Sequence, residues 1–196
     1  MLNGERVAQL ATAAVVLLLA AVAFARSAGE ASPEQIERGR YLTVVGGCGD
    51  CHSPKIFTQM GPVEDSTRLL SGHPAGETLP AVPADVIGPN GWGFVGNAGL
   101  TAFYGPWGTS YAANLTSDEK TGVGAWTEDQ FIKAMRTGKH RGFGRPILPP
   151  MPWVNLTRAT DEDLKAILAY FKSTKPVGNE VPQPVPPSEG APIGQH

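Results

Sequence analysis

Residues 48–52 read Cys48-Gly49-Asp50-Cys51-His52, and the fold of the chain depends on what this stretch binds. It contains both cysteines of the 196-residue chain, separated by two residues and followed at once by a histidine. This spacing is the pattern for covalent attachment of c-type haem. Two thiols at this separation reach the two vinyl groups on one edge of a porphyrin, and the next imidazole faces the iron. We therefore predict one haem, bound through Cys48 and Cys51, with His52 as an axial iron ligand.

Two other uses of paired cysteines fit the sequence less well. A thioredoxin-like redox pair has the same spacing but lies in a βαβ unit, and no such pattern surrounds residues 48–52. A zinc site needs further ligands beyond Cys48, Cys51 and His52. The other histidines do not form a second ligand pair; they are His73, His140 and His196.

The second axial ligand determines what a haem protein does. We expect it to be Met151, which lies in Pro149-Pro150-Met151-Pro152. Three prolines fix φ along this loop, and a stiff loop holds a weak thioether ligand in place. The competing interpretation is a buried methionine that fills a gap in the core.

Five other side chains are candidates for the same position: Met60, Met135, His73, His140 and His196. Met135 lies on the apolar face of a predicted helix, so we expect it in the core. Met60 is too close to His52 along the chain to reach the opposite haem face easily. His73 and His140 remain minor alternatives, and His73, beside Pro74 in a loop, is expected at the surface.

Composition excludes several classes of protein. Charged residues make up 17% of the chain and the formal net charge is -2, which excludes a strongly basic nucleic-acid binder. Hydrophobic residues make up 41%, enough for a core. The 24 glycines and 18 prolines together make 42 of 196 residues, so much of the chain is loop and turn.

The first 31 residues are typical of an export signal. Arg6 precedes an apolar run of nineteen residues from Val7 to Ala25, and Ala23-Phe24-Ala25 fits a cleavage site. The run is also close to the ~20 residues that span a bilayer, so an uncleaved membrane anchor through residues 7–25 is the alternative. Either way, we expect residues 32–196 in the periplasm, soluble or anchored to the inner membrane.

Three main helices are predicted in residues 32–175, the expected haem domain. Their starts carry capping residues and their ends carry glycine or proline. The helices begin at Ser32-Pro33, Thr127 and Thr160, and they end at Gly46-Gly47, Gly138 and Pro176.

Between the first two helices lies a Gly/Pro-rich insert, residues 54–110, without sustained helical or strand periodicity. We expect an irregular segment in which the positions of short strands are not predictable, and its aromatic residues indicate that it packs onto the domain. Residues 176–196 contain repeated prolines and are expected to form a flexible tail. The predicted fold is therefore mainly α, with about three main helices around one covalent haem and a long irregular insert.

Further motifs follow the haem motif or directly precede it. They are Arg38-Gly39-Arg40-Tyr41-Leu42, Asn114-Leu115-Thr116-Ser117-Asp118, Thr121-Gly122-Val123-Gly124, Trp126, the helical set Phe131, Ala134, Met135, Arg136 and Gly138, and Pro150-Met151-Pro152. Together they resemble the class I c-type cytochromes, in particular the cytochrome c subunits of bacterial membrane-bound alcohol, aldehyde and gluconate dehydrogenases. The similar parts cover roughly residues 34–53 and 111–173.

The resemblance implies a cytochrome c fold in which the C-terminal helix crosses the first helix. It implies axial ligation by His52 and Met151, and it places the region of Asn114 and Trp126 against the haem. The chain departs from that family in two ways. Those subunits usually carry three haem motifs and this chain has one, and the insert Lys55–Ser110 is not part of their pattern.

No acidic residue occurs from Phe131 to Thr160, whereas basic residues are frequent there. They are Lys133, Arg136, Lys139, Arg141, Arg145 and Arg158, and we call them the basic stretch. One or two of these cations, Arg136 in particular, are candidates to neutralise the haem propionates. The others are candidates to dock an acidic partner and speed the encounter, against the alternative of an ordinary solvated face.

These inferences favour a periplasmic one-electron carrier rather than an enzyme. Its expected partners are a dehydrogenase as donor and an oxidase or another cytochrome as acceptor, with no nucleic acid. The alternative is a haem enzyme or gas-binding protein with an open sixth coordination position. A component of a larger assembly, docked through the insert and the tail, is compatible with the carrier.

Overall fold

The computed structural model describes residues 31–83, 85–88 and 91–187. The export signal or anchor predicted for residues 1–31 therefore lies almost wholly outside the described residues, as does His196. Within the described ranges, no helix is both long and apolar enough to cross a membrane. The chain divides into two units, Met1–Pro33 and Glu34–His196, and the second contains every feature that follows.

The three predicted helices are present. Five α-helices occur in the described part of the chain: α1 Pro33–Val45, α2 Cys48–His52, α3 Glu128–Thr137, α4 Trp153–Leu156 and α5 Asp161–Ser173. A short 3-10 helix, His140–Gly142, follows α3. The haem motif itself forms α2, and α4 is a single turn directly after the loop that contains Met151.

The capping residues of α3 and α5 are those expected from the sequence. The Thr127 hydroxyl accepts a hydrogen bond from the Gln130 amide, and the Gln130 side chain accepts one from the Thr127 amide. The Thr160 hydroxyl accepts a hydrogen bond from the Asp163 amide at the start of α5. Gly138 ends α3 with φ 65°, a left-handed conformation that glycine adopts at little cost.

The insert is more regular than expected. Its described residues form five short strands, the last ending just beyond the insert: β1 Lys55–Thr58, β2 Gly61–Glu64, β3 Val95–Gly96, β4 Ala102–Gly105 and β5 Gly108–Tyr111. Strands β1 and β2 form an antiparallel hairpin, and β3, β4 and β5 form an antiparallel sheet in that order. Of the residues that the structure describes, 31% are helical and 15% lie in strands or bridges, so the prediction of a mainly α chain needs correction.

Two tight turns explain why these strands escaped prediction. The hairpin β1–β2 closes with Thr58 opposite Gly61, and β4–β5 closes with Gly105 opposite Gly108. Gly61 and Gly108 have φ values of 106° and 87°, which side chains rarely tolerate. The strands are too short to show an alternation of apolar and polar residues. Their pairing and register are set by the turns instead, which the apolar pattern of the sequence does not reveal.

The hydrophobic core lies between α3 and α5, as their apolar faces predicted. It is built from Leu70, Val123, Trp126, Phe131, Ala134, Met135, Leu164, Ile167, Leu168 and Phe171. The rings of Phe131 and Phe171 meet edge to face, with centroids 6.1 Å apart. Met135 is 7% exposed within this cluster, so its predicted place in the core is confirmed.

The first and last helices touch at a glycine. A Cβ atom at Gly39 in α1 would collide with the carbonyl oxygen of Ala166 in α5, so only glycine permits this approach. Arg38 forms an ion pair with Asp163 at 2.9 Å beside the contact. Helix α5 thus lies directly against α1, which is the helix that precedes the haem motif.

The predicted tail begins as an attached segment rather than a flexible one. The amide of Thr109 donates to the carbonyl oxygen of Val185 at 2.8 Å, and the amide of Val185 donates to the carbonyl oxygen of Thr109 at 2.9 Å. The side-chain Nδ2 atom of Asn179 donates to the carbonyl oxygens of Ser71 and His73. An extended, proline-rich backbone fits the free edge of β5, which explains why residues 176–187 pack onto the domain.

Candidate haem-binding site

The two cysteines and His52 lie together on the one-turn-long helix α2. Gly47 adopts φ 64° before this helix, and this left-handed residue turns the chain from α1 into the haem motif. Cys48 and Cys51 are three residues apart on a helix, which places them on one side of it. Both are free thiols and both are half-buried. The arrangement presents two sulfur atoms in one direction beside the imidazole.

His52 is buried and its ring is held by one hydrogen bond. Its Nδ1 atom lies 2.7 Å from the carbonyl oxygen of Ala113. A carbonyl oxygen only accepts, so Nδ1 carries the proton and the lone pair of the neutral ring is on Nε2. A histidine that ligates a metal commonly donates its other ring N–H in this way. Sequence reasoning did not identify Ala113, although it identified the adjacent Asn114.

The protonation states of these groups suit haem attachment. Burial raises the pKa of the Cys48 thiol to about 11, and burial also raises the pKa of the Cys51 thiol. Burial lowers the pKa of His52, while the hydrogen bond to Ala113 opposes that change. At neutral pH the site therefore holds two protonated thiols and a neutral imidazole. Thiols that add to vinyl groups and an imidazole that binds iron are the donor set of a c-type haem.

Lys55 attaches the hairpin β1–β2 to the haem motif. Its Nζ atom donates to the carbonyl oxygens of Gly49 at 3.2 Å, Asp50 at 2.9 Å and Ser53 at 2.6 Å. These include carbonyl groups that a helix end leaves without partners, and a cation is favourable there. The carboxylate of Glu64 lies against Gly49, where an added Cβ would collide with it. Lys55 and Glu64 are opposite each other across the hairpin, and the sequence did not indicate either role.

Asn114 is buried and fixes the loop that contains Ala113. Its Nδ2 atom donates to Thr121 Oγ1 at 3.0 Å and to the carbonyl oxygen of Val177 at 2.8 Å. Its Oδ1 atom accepts from the Thr116 amide at 3.0 Å and from the Thr116 hydroxyl at 2.7 Å. Asn114 thus acts beside the site by holding the backbone that orients His52. Its predicted contact with haem stays a prediction.

Trp126 connects the core with the loop after α3. It is 8% exposed and packs against Phe131, with centroids 6.5 Å apart. His140 meets it edge to face at 4.8 Å, and the Arg141 guanidinium lies 5.5 Å from the centre of its ring. His140 therefore has an aromatic contact. The predicted placement of Trp126 against haem also stays a prediction.

Arg136 has a structural role that the sequence did not reveal. Its Nη1 and Nη2 atoms donate to the carbonyl oxygens of Leu156 at 3.0 Å, Thr157 at 2.8 Å and Ala159 at 2.8 Å. Nη2 also donates to the Asp161 carboxylate at 2.6 Å. These contacts hold the segment between α4 and α5. They engage both terminal nitrogens of Arg136, and its predicted interaction with a haem propionate stays a prediction.

The candidates for the second axial position occupy different environments. Met151 is half-buried in its proline loop, whereas Met60 is 96% exposed at the tip of the hairpin β1–β2. His73 is 0% exposed, which contradicts its predicted place at the surface. Its Nδ1 atom is 2.9 Å from the Thr101 hydroxyl, and its Nε2 atom has no hydrogen-bond partner among the described residues.

The basic stretch divides into engaged and exposed cations. Lys133 pairs with Asp129 at 2.9 Å, and Arg136 is bound as described. Arg145 donates to the carbonyl oxygen of Pro146 at 3.2 Å. Lys139 is exposed. Arg141, two residues further along the chain, is half-buried, and it is the Arg141 guanidinium that lies close to the Trp126 ring.

No protein-family model matches the chain. It is 31% identical over 154 residues to one of the subunits of nicotinate dehydrogenase from Pseudomonas putida, a match that covers 79% of this chain and 10% of that protein. It is 30% identical over 158 residues to the gluconate 2-dehydrogenase cytochrome c subunit of Pantoea cypripedii, a match that covers 80% of this chain and 27% of that subunit. It is 30% identical over 188 residues to the fructose dehydrogenase cytochrome subunit of Gluconobacter japonicus, covering 91% and 31%. The matched part is at most about a third of the length of these curated relatives, and the matches confirm the resemblance inferred from the motifs.

Proposed function

We propose that this chain, a homologue of the cytochrome c subunits of dehydrogenases, carries one covalently attached haem and transfers single electrons from a dehydrogenase to a respiratory-chain component. The observation that supports it best is the arrangement of His52, whose Nδ1 atom is bound to Ala113 while Nε2 keeps its lone pair. The two thiols on the same helix complete the attachment site.

Cys48 and Cys51 would hold the haem through thioethers, and His52 and Met151 would be its axial ligands. When bound, the haem supplies one-electron chemistry, and ligation by histidine and methionine raises its reduction potential. The residues of the chain bind, orient and shield this group. Ala113 fixes the imidazole plane, Asn114 fixes Ala113, and Lys55 fixes the end of α2.

The same proposal includes a cytochrome c fold and a periplasmic location. The contact of α5 with α1 at Gly39 supports the fold, since the last helix meets the helix that precedes the haem motif. The apolar run Val7–Ala25 supports export, and it leaves the mature domain either soluble or anchored to the inner membrane. The names of the relatives support a dehydrogenase as the donor.

Two measurements on the haem-matured protein test the proposal. The intact mass under denaturing conditions should exceed the mass of the chain by that of one haem, and the excess should be absent when Cys48 and Cys51 are both replaced by alanine. The visible spectrum of the reduced protein should not change on addition of carbon monoxide, because a six-coordinate iron has no free position. Rapid binding of carbon monoxide would instead support an enzyme or gas-binding protein with an open sixth position.

A further inference from the structure

The insert makes a direct contact with the loop of the expected methionine ligand. The Ser110 hydroxyl in β5 donates to the carbonyl oxygen of Pro149 at 2.6 Å, across 39 residues of sequence. The Ser110 side chain is 6% exposed, and the hydrogen bond itself is partly buried. We call residues 148–151 the methionine loop. We propose that Ser110 is a positioning residue for Met151 and that the sheet β3–β4–β5 acts as a clamp that holds the methionine loop in place; this inference rests on the proposed function.

The methionine loop has few anchors of its own. Pro149, Pro150 and Pro152 have no backbone N–H to donate. The Met151 amide donates to the carbonyl oxygen of Leu148, which lies within the same loop, at 3.3 Å. In the described part of the chain, the bond from Ser110 is the hydrogen bond that joins residues 148–151 to a different element. The Ile147 amide, directly before the loop, donates to the carbonyl oxygen of Gly138, and the bond from Ser110 anchors Pro149 within the loop itself.

The direction of the Ser110 hydroxyl is set by Trp107. The Trp107 Nε1 atom donates to Ser110 Oγ at 3.2 Å. An indole N–H only donates, so Ser110 Oγ accepts from it and its single hydrogen points to Pro149. Trp107 lies over Gly105, where an added Cβ would meet the indole ring at 2.6 Å, and its ring centroid is 6.0 Å from that of Phe94. The aromatic residues of the insert thus hold the Trp107 indole in place, and with it the hydrogen bonds from Trp107 to Ser110 and from Ser110 to Pro149.

Strand β5 is a rigid base for this contact. Ser110 is paired with Phe103 of β4, and the opposite edge of β5 is bonded to Val185 through Thr109. Successive side chains of a strand point to opposite faces, so Thr109 faces away from Ser110. This makes Thr109 a matched control position, with a hydroxyl on the same strand and backbone bonds that a substitution leaves intact.

The test is imidazole binding to the ferric holoprotein, measured by titration of the visible spectrum. Imidazole replaces a thioether ligand only when the methionine loop releases it. Loss of one buried hydrogen bond should make release easier, and we expect Ser110→Ala to bind imidazole about tenfold more tightly. The Thr109→Ala control should remain within about twofold of the unsubstituted protein. Ser110→Ala should also weaken the charge-transfer band of the ferric iron–methionine bond.

Two further variants separate the possible results. Trp107→Phe keeps the ring and removes the N–H, and we expect about threefold tighter imidazole binding because the hydroxyl loses its orientation. This variant decides the question if Ser110→Ala does not fold. Met151→Ala should bind imidazole far more tightly and lack the charge-transfer band altogether. If Met151→Ala behaves so and the Ser110 and Trp107 variants match Thr109→Ala, the clamp is refuted and the proposed function stands. If Met151→Ala matches the unsubstituted protein, ligation by Met151 fails, and the clamp fails with it.

Discussion

The Nδ1 atom of His52 and the carbonyl oxygen of Ala113 lie 2.7 Å apart, although 61 residues separate them in the chain. The insert and its two small sheets occupy most of the intervening sequence. The chain therefore leaves the haem motif, forms the insert and returns to within hydrogen-bond distance of the ligand. The residues that fix this return are as important for the site as the motif itself.

Asn114→Ala should destabilise the folded holoprotein by about 3 kcal/mol, because it removes a buried side chain that both donates and accepts and leaves its partners unpaired. These partners include Thr116, Thr121 and Val177. Urea unfolding measures the change. The control Asn155→Ala, at an exposed position in α4, should change the free energy of unfolding by at most about 0.5 kcal/mol. Equal effects of the two substitutions would show that Asn114 does not hold this loop.

Arg136→Lys should cost about 2 kcal/mol, since an ammonium group cannot reproduce the planar contacts of the guanidinium with three carbonyls and Asp161. Thermal unfolding of the holoprotein tests this expectation. Lys133→Gln is the control on the same helix. It removes an exposed ion pair with Asp129, which is worth little. A lysine that preserved full stability at position 136 would argue that charge alone matters there.

Gly39→Ala should destabilise the protein by about 3 kcal/mol or prevent folding, because the new methyl group overlaps the Ala166 carbonyl. The matched substitution Gly76→Ala adds a Cβ that meets nothing within 4 Å, and it should be tolerated. Circular dichroism during urea unfolding compares the two. A stable Gly39→Ala protein would mean that α1 and α5 are able to move apart without loss of the fold.

Asp65 should contribute stability that disappears in acid. The hydroxyl and amide of Thr67 and the guanidinium of Arg68 lower the pKa of Asp65 from 3.8 to about 2. Because the folded-state pKa is below the unfolded one, the stabilisation is complete above about pH 4 and is lost as pH falls towards 2. Asp65→Asn should thus be less stable than the unsubstituted protein at pH 6 and equally stable near pH 2.

Urea midpoints at several pH values measure this convergence. Glu119→Gln, at an exposed position, serves as the control and should follow the unsubstituted protein at every pH. A stability difference for Asp65→Asn that stayed constant from pH 6 to pH 2 would contradict the assignment.

Reversal of two cations of the basic stretch, exposed Lys139 and half-buried Arg141, should slow electron transfer to an anion. Lys139→Glu with Arg141→Glu should lower the rate at which the reduced holoprotein is oxidised by ferricyanide several-fold at low ionic strength. The difference should vanish near 1 M salt, where the Debye length is only about 3 Å and charges further apart no longer interact. Lys172→Glu with Lys175→Glu reverses the same amount of charge at the end of α5 and should have a smaller effect. An unchanged rate and salt dependence would remove the docking role from this part of the basic stretch.

Local signals in the sequence were sufficient for the three main helices and for the attachment motif, but not for the single turn α4. The capping box at Thr127, the hydroxyl cap at Thr160 and the left-handed Gly138 act over three or four residues, so they can be recognised without tertiary structure. The spacing of residues 48–52 is likewise a local property, and the apolar faces of α3 and α5 correctly predicted the core. The family resemblance depended on motifs of the same local kind.

The insert and the tail show where such reasoning stops. Strands of two to four residues have no detectable period, and their pairing is decided by turns at Gly61 and Gly108 together with distant partners. The attachment of Val185 to β5 and the burial of His73 depend on neighbours about 76 and 28 residues away in sequence, Thr109 and Thr101. Periodicity carries no information about contacts of that range.

The sequence by itself determined which chemistry we expect of this protein, because two thiols and an imidazole at this spacing are the pattern for covalent attachment of c-type haem. Only the tertiary structure decided how that chemistry is held in place. Ala113 orients His52 through a backbone carbonyl, which every residue type possesses and no motif records. Arg136 in α3 binds carbonyl oxygens of the segment between α4 and α5, and Ser110 reaches Pro149 across the fold. Hydrogen bonds to the backbone leave no pattern in the sequence, so the supporting shell of the site became visible only when the chain was folded.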